Sequence, residues 1–226
     1  MGFDFSFVSK YIPYYLEGVK YTLLISLITV MFGALFGSIL FFMKSSNIHI
    51  WKIKALKIIA VSYIEIIRGT PMLLQILIMY NGSKMFFGID LSPFIAAVIA
   101  IALNSAAYVS EIVRAGIEAV DKGQMEAARS LGMKKGKAMM LIVIPQAVKN
   151  ILPAIGNEFV AVIKESSMAS IIGVNELMFA GKVVQGSTYL GLEPYIVAAG
   201  FYFIMTFTLG RIISLIERRM KKSDSR

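Results

Sequence analysis

Long apolar stretches alternate with short polar segments along nearly the whole chain. Residues 21–43 contain no charged side chain, and further apolar stretches cover residues 58–80, 93–113, 138–163 and 195–216. A helix needs about 20 mostly apolar residues to cross a bilayer, so each stretch is long enough for one transmembrane helix. The pattern therefore predicts an all-α polytopic membrane protein with five transmembrane helices.

Composition agrees with this prediction and leaves little room for a separate enzymatic domain. Of the 226 residues, 57% are hydrophobic and 16% are charged, whereas about a quarter of the residues of a soluble domain are charged. The net charge of +9 does not indicate nucleic-acid binding, because the basic residues lie between apolar stretches. With no cysteine and one histidine, His49, the chain offers no clustered metal ligands. We expect one transmembrane domain over residues 1–226 without catalytic residues, metal or bound cofactor.

The distribution of Lys and Arg predicts the orientation of the chain in the membrane. Most basic residues lie in segments 44–57, 114–137 and 218–226, whereas the only basic residue of segment 81–92 is Lys84. Cytoplasmic loops of membrane proteins carry an excess of Lys and Arg. We therefore expect the N-terminus outside the cell, and segment 114–137 and the C-terminus in the cytoplasm.

Three further features concern helix boundaries and packing. Residues 1–18 mix aromatic and polar side chains, which suits either a short amphipathic helix at the interface or a frayed terminus. Residues 166–191 are apolar but interrupted by glycine, and we interpret them as a re-entrant or interfacial element that protein or a water cavity must cover. Gly33 and Gly37 form a small-xxx-small pair, which lets another helix approach closely.

Polar side chains within the second predicted span mark a candidate site, because charges are costly inside a bilayer. Glu65, Arg68 and Gln75 are spaced to share one helix face, and Glu65 and Arg68 can also neutralise each other. Proline removes a backbone donor, so the Thr70-Pro71 pair should break or kink the helix. If the helix restarts with Thr70 as N-cap, its free N–H groups suit a substrate carboxylate. A kink that serves packing alone is the alternative.

The third and fourth predicted spans carry further polar residues. Asn104 and Tyr108 lie one turn apart on one face of the third span, and Asn157 and Glu158 lie in the fourth. A carboxylate deep in a span needs a cation, so we expect Glu158 to hold the ammonium group or a cationic side chain of a substrate. The alternative is that Glu158 and Lys164 take part in ion pairs between helices.

The charged segment 121–137 separates two apolar stretches and should protrude into the cytoplasm. Asp121 followed by Gln124 resembles a capping box, which predicts a short helix starting near Gly123. Gly132 suits the helix end because glycine adopts the left-handed conformation without steric cost. We expect this helix to present small residues on one side, as a surface that fits a groove on another protein. A solvated connector helix is the alternative.

The same segment resembles a known family signature. Permease subunits of ATP-binding-cassette importers share the EAA motif, EAA-x3-G-x9-I-x-L-P. This chain matches it with Glu126, Ala127, Ala128, Gly132, Ile142 and Pro145, and departs from it only at Ile144, where the motif has leucine. RGTP at 68–71, AAYVSE at 106–111 and GNEF at 156–159 are similar to the polar amino-acid uptake branch of these permeases.

The resemblance implies a type I importer permease fold, in which segment 121–137 forms the coupling helix that contacts an ATPase subunit. It implies import of a polar amino acid by alternating access, with a cationic substrate as an open possibility. The implied partners are a second permease subunit, expected to be an identical copy, two ATPase subunits that use ATP and Mg, and an extracytoplasmic amino-acid-binding protein, assembled in a bacterial cell membrane.

No G-x4-GK[ST] motif occurs, so ATP hydrolysis is assigned to the partner. The alternative functions are those of an ATP-binding-cassette permease for another small solute and of an ion-coupled secondary amino-acid carrier. The expected coupling residues are Gly123, Glu126, Ala127, Ala128, Arg129 and Gly132. The expected substrate-binding residues are Glu65, Gly69, Thr70, Pro71, Asn104, Tyr108, Asn157, Glu158 and Ser166.

Overall fold

The computed structural model describes residues 3–45 and 55–222, which form helices without any strand. The helices are α1 (Val8–Ser45), α2 (Ala55–Gly69), α3 (Met72–Phe87), α4 (Pro93–Glu118), α5 (Lys122–Ser130), α6 (Lys135–Ala138), α7 (Ile144–Glu165), α8 (Leu177–Thr188) and α9 (Glu193–Lys222). A π-helical turn, Met139–Val143, joins α6 to α7, and a 3-10 turn, Ser166–Ile172, follows α7. His49 lies outside the described residues.

Four helical segments of the described chain are long and apolar enough to cross a membrane. They are α1, α4, the segment from Lys135 to Ile172, and most of α9. Helices α2 and α3 pass the same test together, but they are bent by 108° at the short break between them. Counted as one crossing, this pair gives the five crossings that the hydrophobic pattern predicts.

Helix α1 starts well before the first predicted span, at Val8. The interpretation of residues 1–18 as a separate interfacial piece or a frayed terminus is therefore wrong for residues 8–18. The cause is tertiary packing: Tyr15 is fully buried, stacks on Phe201 and donates a hydrogen bond to the carbonyl of Pro194 at 2.9 Å. These contacts with α9 hold the first turns of α1 in the helix.

Close packing of α1 against α4 uses the glycine pair noted in the sequence. A Cβ atom at Gly33 would lie 2.7 Å from Ser105 Oγ, and one at Gly37 would lie 2.7 Å from the carbonyl oxygen of Ala106. Ser105 and Ala106, the α4 residues that would lie nearest to these Cβ atoms, are also small. Small residues let helix backbones approach until van der Waals packing is maximal. The small-xxx-small pair therefore serves packing within one chain.

The continuous helical segment from Lys135 to Ile172, here called the rod, changes its helical geometry where proline interrupts the backbone hydrogen bonds. Pro145 has no N–H to donate to the carbonyl four residues earlier. The preceding turn, Met139–Val143, is wider, and the N–H of Ile144 donates to the carbonyl of Met139. Such wide turns accommodate a missing bond without ending the helix. The predicted fourth span therefore lies inside a longer continuous rod.

The segment predicted to be re-entrant or interfacial forms the 3-10 turn and helix α8. Gly173 takes a left-handed conformation, with φ of 87°, between the two. Leu177 and Val184 are fully buried against the cluster that α1 and α9 also form. Protein therefore covers the inner face of α8, as the unusual composition of this segment requires.

Glu176 caps the N-terminus of α8 and is fully buried. Its carboxylate accepts hydrogen bonds from the backbone N–H groups of Met178, at 2.9 Å, and Phe179, at 2.7 Å. The Tyr202 hydroxyl of α9 donates a third bond at 2.6 Å. Because these donors satisfy the carboxylate, it links α8 to α9 inside the apolar cluster.

The contact between α1 and α4 predicts the effect of one added methyl group. Gly33→Ala and Gly37→Ala should each destabilise the protein by about 1–3 kcal/mol, because backbone and small side chains cannot retreat from the new Cβ. Gly210→Ala is the matched control, since no heavy atom lies within 4 Å of its added Cβ. Heating the purified protein and following the monodisperse fraction by size-exclusion chromatography measures the effect. Equal midpoints for all three variants would contradict the packing argument.

Candidate functional site

A break in the second membrane crossing forms one part of the candidate site. Helix α2 ends at Gly69 and α3 begins at Met72, with Pro71 in an extended conformation between them. Proline also disfavours helical geometry in the residue before it. The break predicted from Thr70-Pro71 is therefore present. Gly69, Thr70 and Pro71 are all exposed at this corner.

The hydrogen bonds at the corner differ from the predicted cap. The N-cap of α3 is Pro71, without a side-chain cap, so Thr70 as N-cap is wrong. The Thr70 hydroxyl instead donates to the carbonyl of Ile66 at 2.9 Å and so completes the end of α2. The first N–H groups of α3 consequently have no side-chain acceptor, which leaves them available to an anion.

Gln75 ties the two halves of the broken crossing together. Its amide nitrogen lies 2.8 Å from both the Ile67 carbonyl and the Thr70 hydroxyl, and donates to these oxygens. Gln75 does not share a continuous helix face with Glu65 and Arg68, because the bend separates them. The side chain reaches back across the bend and fixes its geometry.

Helix α4 carries side chains that contact both halves of the broken crossing, α2 and α3. Asn104, only 4% exposed, donates from its amide nitrogen to Gln75 Oε1 at 2.9 Å. One turn later, the exposed Tyr108 ring lies under the guanidinium of Arg68, 5.4 Å from the ring centroid. No ion pair joins Glu65 to Arg68 in the described part of the chain. Arg68 is directed to an aromatic face instead.

Glu158 of α7 contacts the next residue of α4, Ser105. The Ser105 hydroxyl donates to Glu158 Oε1 at 2.9 Å. Neither Glu158 nor Lys164 takes part in an ion pair among the described residues, so the alternative of ion pairs between helices is not formed within this part of the chain. Sequence reasoning missed Ser105, because one serine in a helix rich in alanine and serine carries no distinguishing signal. Adjacent residues of α4 thus contact both the broken crossing and α7.

The remaining predicted residues divide by exposure. Glu65 and Asn157 are exposed on the protein surface, Glu65 on α2 and Asn157 on α7. Ser166 has no exposed surface, and its hydroxyl donates to the Ile163 carbonyl at 2.9 Å, so it presents no polar group toward the exposed residues of the helix break.

No three metal-ligating side chains come together within residues 3–45 and 55–222 in a way that could hold a metal ion.

Helix α5 forms the second candidate site. Asp121 is its N-cap and accepts a hydrogen bond from the N–H of Gly123 at 2.6 Å. The other half of the predicted capping box is absent, because Gln124 Oε1 accepts from Gln146 of α7 at 3.3 Å. Gly132 adopts φ of 84° at the end, as its sequence position predicts. The helix is therefore defined at both ends by local sequence.

The exposed face of α5 differs from the expected alanine surface. Ala128 is buried, whereas Glu126, Ala127 and Arg129 are exposed. Successive helical positions point about 100° apart, so the two alanines cannot share one face. Leu131, just after the helix, is 85% exposed. The solvent-facing surface of α5 thus combines opposite charges with small and apolar groups.

Comparison with known proteins identifies the family. Residues 48–222 match the family described as binding-protein-dependent transport system inner membrane component. The chain belongs to this family. The match includes both the broken crossing and α5 of this transport-system membrane component.

Two curated relatives align along nearly the whole transport-system component. The arginine transport system permease protein ArtQ of Bacillus subtilis (strain 168) is 42% identical over 226 residues, covering 99% of this chain and 100% of that protein. The glutamine transport system permease protein GlnP of Escherichia coli (strain K12) is 35% identical over 222 residues, covering 98% and 99%. The family resemblance inferred from the EAA motif is confirmed.

Solved structures agree with this assignment. The crystal structure of an amino acid ABC transporter with histidines contains a chain that is 49% identical, with a TM-score of 0.91 and coverage of 97% of this chain and 100% of that one. A chain of the MetNI methionine ABC transporter, in inward-facing form, is 17% identical with a TM-score of 0.75, covering 91% and 95%. The predicted type I importer permease fold is therefore confirmed.

The contacts of Gln75 predict a stability loss. Gln75→Leu removes the donor to the end of α2 and leaves the buried Asn104 amide without its acceptor, which should cost about 1–3 kcal/mol. Asn81→Leu is the matched control on α3, because Asn81 is exposed and bonds only to its own helix. Chemical unfolding in detergent, followed by circular dichroism, compares the two. A control as unstable as Gln75→Leu would rule out a special role for the bridge.

Proposed function

We propose that this chain is the membrane permease subunit of an ATP-driven importer that moves a polar amino acid into the cytoplasm by alternating access. The whole of residues 1–226 acts as one transmembrane domain. The observation that carries the proposal is the group of exposed polar side chains at a helix break within a membrane crossing. Relatives named for arginine and glutamine transport support the substrate class, with a cationic amino acid included.

The exposed charges favour assembly with a second permease subunit. Glu65 and Arg68 are exposed on a membrane-crossing element. Lipid tails do not solvate such groups, so they must face protein or a water-filled path. A second copy of this chain, placed against the surface that carries them, would enclose that path. We propose a homodimer, and co-purification of a related but different chain would replace it by a heterodimer.

Two sets of groups suit the two charged ends of an amino acid. The first turn of α3 offers backbone N–H groups without a side-chain cap, which fits the α-carboxylate. We place Gly69, Thr70 and Pro71 around this end. Glu158 has a hydroxyl donor and no ion-pair partner among the described residues, which fits an ammonium group or a cationic side chain.

Energy reaches the permease through α5. We propose that Gly123, Glu126, Ala127, Ala128, Arg129 and Gly132 form the coupling segment, which docks on an ATPase subunit. Two such subunits hydrolyse ATP with Mg, and an extracytoplasmic binding protein delivers the amino acid. The π-helical turn and α7 continue from this segment to Glu158, so movement of α5 has a direct path to the candidate substrate site.

The proposed assembly lies in a bacterial cell membrane. The N-terminus is outside and the C-terminus cytoplasmic, since the basic segments around α5 and at the end of α9 then lie inside. This orientation puts α5 on the side where ATP is available. Protease accessibility of tags at the two termini in spheroplasts tests it directly.

Reconstitution tests the function. The permease is co-expressed with its candidate ATPase, inserted into liposomes, and supplied with binding protein and radiolabelled amino acids. We expect uptake that requires ATP inside and persists when ion gradients are abolished. Uptake that follows an ion gradient without ATP would decide for a secondary carrier. ATP-driven uptake of another small solute, with no amino acid moved, would replace the substrate class.

The carboxylate of Glu158 should make the permease prefer cationic amino acids. Glu158→Gln should raise the apparent KM for arginine and lysine by about tenfold or more relative to that for glutamine, because a charge-assisted hydrogen bond contributes about 1.5–3 kcal/mol. Glu17→Gln, an exposed carboxylate of α1, is the control. Initial uptake rates in the reconstituted system give the values. Equal losses for all three amino acids would argue against a side-chain role for Glu158.

Variants of the coupling segment should uncouple ATP hydrolysis from transport without loss of substrate binding. Glu126→Lys reverses an exposed charge on α5, so uptake per ATP hydrolysed should fall by at least about tenfold. A like-charge contact at an interface costs several kcal/mol, and a factor of ten needs only about 1.4 kcal/mol. Gly132→Pro should act similarly by changing the helix end. Arg219→Glu, an exposed charge reversal in α9, is the control. Unchanged uptake per ATP in both α5 variants would exclude α5 as the coupling element.

A further inference from the structure

A cavity of about 290 Å³ lies where three helices meet at one edge of the protein. It is bounded by the end of α1, the start of α2 and the last turns of α4. Three basic side chains line it, Lys44, Lys57 and Arg114, together with Ser45. The site is separate from the helix break and from α5, and neither candidate site uses these groups.

Two carboxylates hold the basic groups in place. Glu111 accepts from Lys44 Nζ at 2.7 Å and from Arg114 Nε at 2.9 Å, and Glu118 accepts from another nitrogen of Arg114. A lysine has three N–H donors and an arginine has five, so most donors of both side chains stay available. The carboxylates therefore orient these cations at the cavity wall without saturating them.

The cavity keeps an excess of positive charge. Among the described residues, Lys44, Lys57 and Arg114 are three cations against the two carboxylates of Glu111 and Glu118, which leaves one positive charge. Lys57 is exposed and forms no ion pair within the described ranges. An anion that accepts several hydrogen bonds complements this set, because charge-assisted bonds are the stronger ones.

The surroundings place the cavity at the level of lipid head groups. Phe42 of α1 and Ile58 and Ile59 of α2 lie beside the cavity residues in sequence and are each more than half exposed. Such an apolar surface on a membrane-crossing helix faces acyl chains, and the charged residues lie where these helices end. Basic pockets between transmembrane helices bind anionic head groups.

We propose that this cavity binds the phosphate of an anionic phospholipid head group, such as phosphatidylglycerol. The phosphate oxygens accept hydrogen bonds from Lys57, Arg114 and Lys44, and the acyl chains lie along Phe42 and Ile58. The site joins the end of α1 to the start of α2 through the lipid. The proposal does not rest on amino-acid transport, because lipid retention is measured without substrate or ATP.

Native mass spectrometry of the intact transporter complex tests the proposal. The complex is released from nanodiscs that contain phosphatidylglycerol and phosphatidylcholine in graded ratios. For Lys57→Gln we expect the affinity for one phosphatidylglycerol per permease chain to fall about fivefold, which corresponds to the roughly 1 kcal/mol that one basic residue contributes near an anionic membrane surface. Lys57→Arg should retain the lipid, since it keeps the charge and the donors.

Lys182→Gln is the matched control, because it removes one exposed lysine from α8, away from the cavity. It should retain phosphatidylglycerol as the unaltered chain does. Equal retention by Lys57→Gln and the unaltered chain, or an equal loss in Lys182→Gln, would overturn the proposal. In neutral nanodiscs, adding millimolar inorganic phosphate distinguishes the source of the anion. Retention of phosphate that depends on Lys57, without any preference for phosphatidylglycerol, would make the ligand a free anion and overturn the lipid assignment.

Discussion

The close approach of α1 and α4 is the constraint on which both parts of the candidate substrate site depend. Gly33 lies against Ser105, and the hydroxyl of Ser105 holds Glu158 of α7. The neighbouring Asn104 holds Gln75, which ties the broken crossing together. A wider separation of α1 and α4 would therefore move both contacts at once. In this region the packing of small residues therefore also determines where the polar groups lie.

Local sequence was sufficient wherever a single chain segment decides its own conformation. The helix break at Thr70-Pro71, the Asp121 cap and the left-handed Gly132 all follow from proline, carboxylate and glycine chemistry over a few residues. The five apolar stretches follow from bilayer thickness in the same way. The family signature at Glu126 then connected these elements to a fold and a class of function, which the comparisons confirm.

Errors arose where a distant contact decides the outcome. Residues 8–18 join α1 because Tyr15 reaches α9, and no pattern within those residues indicates that partner. Thr70 has the chemistry of an N-cap, yet its hydroxyl can equally complete the helix before it, and the Gln75 amide favours that arrangement. The Gln75 side chain, which lies beyond the bend, therefore decides which of two local hydrogen bonds the Thr70 hydroxyl forms.

The carboxylates of this chain differ in how many hydrogen bonds they accept. This difference distinguishes carboxylates with a structural role from those that can bind a ligand within a membrane. Glu176 is fully buried but receives three donors, so it needs no ligand and joins α8 to α9. Glu158 is partly buried and receives one hydroxyl donor, which leaves acceptor capacity toward a cation. Glu65 is exposed on a crossing helix, where lipid cannot solvate it. The degree to which each carboxylate is satisfied, more than its depth, therefore indicates which of them is free to meet a substrate or a second subunit.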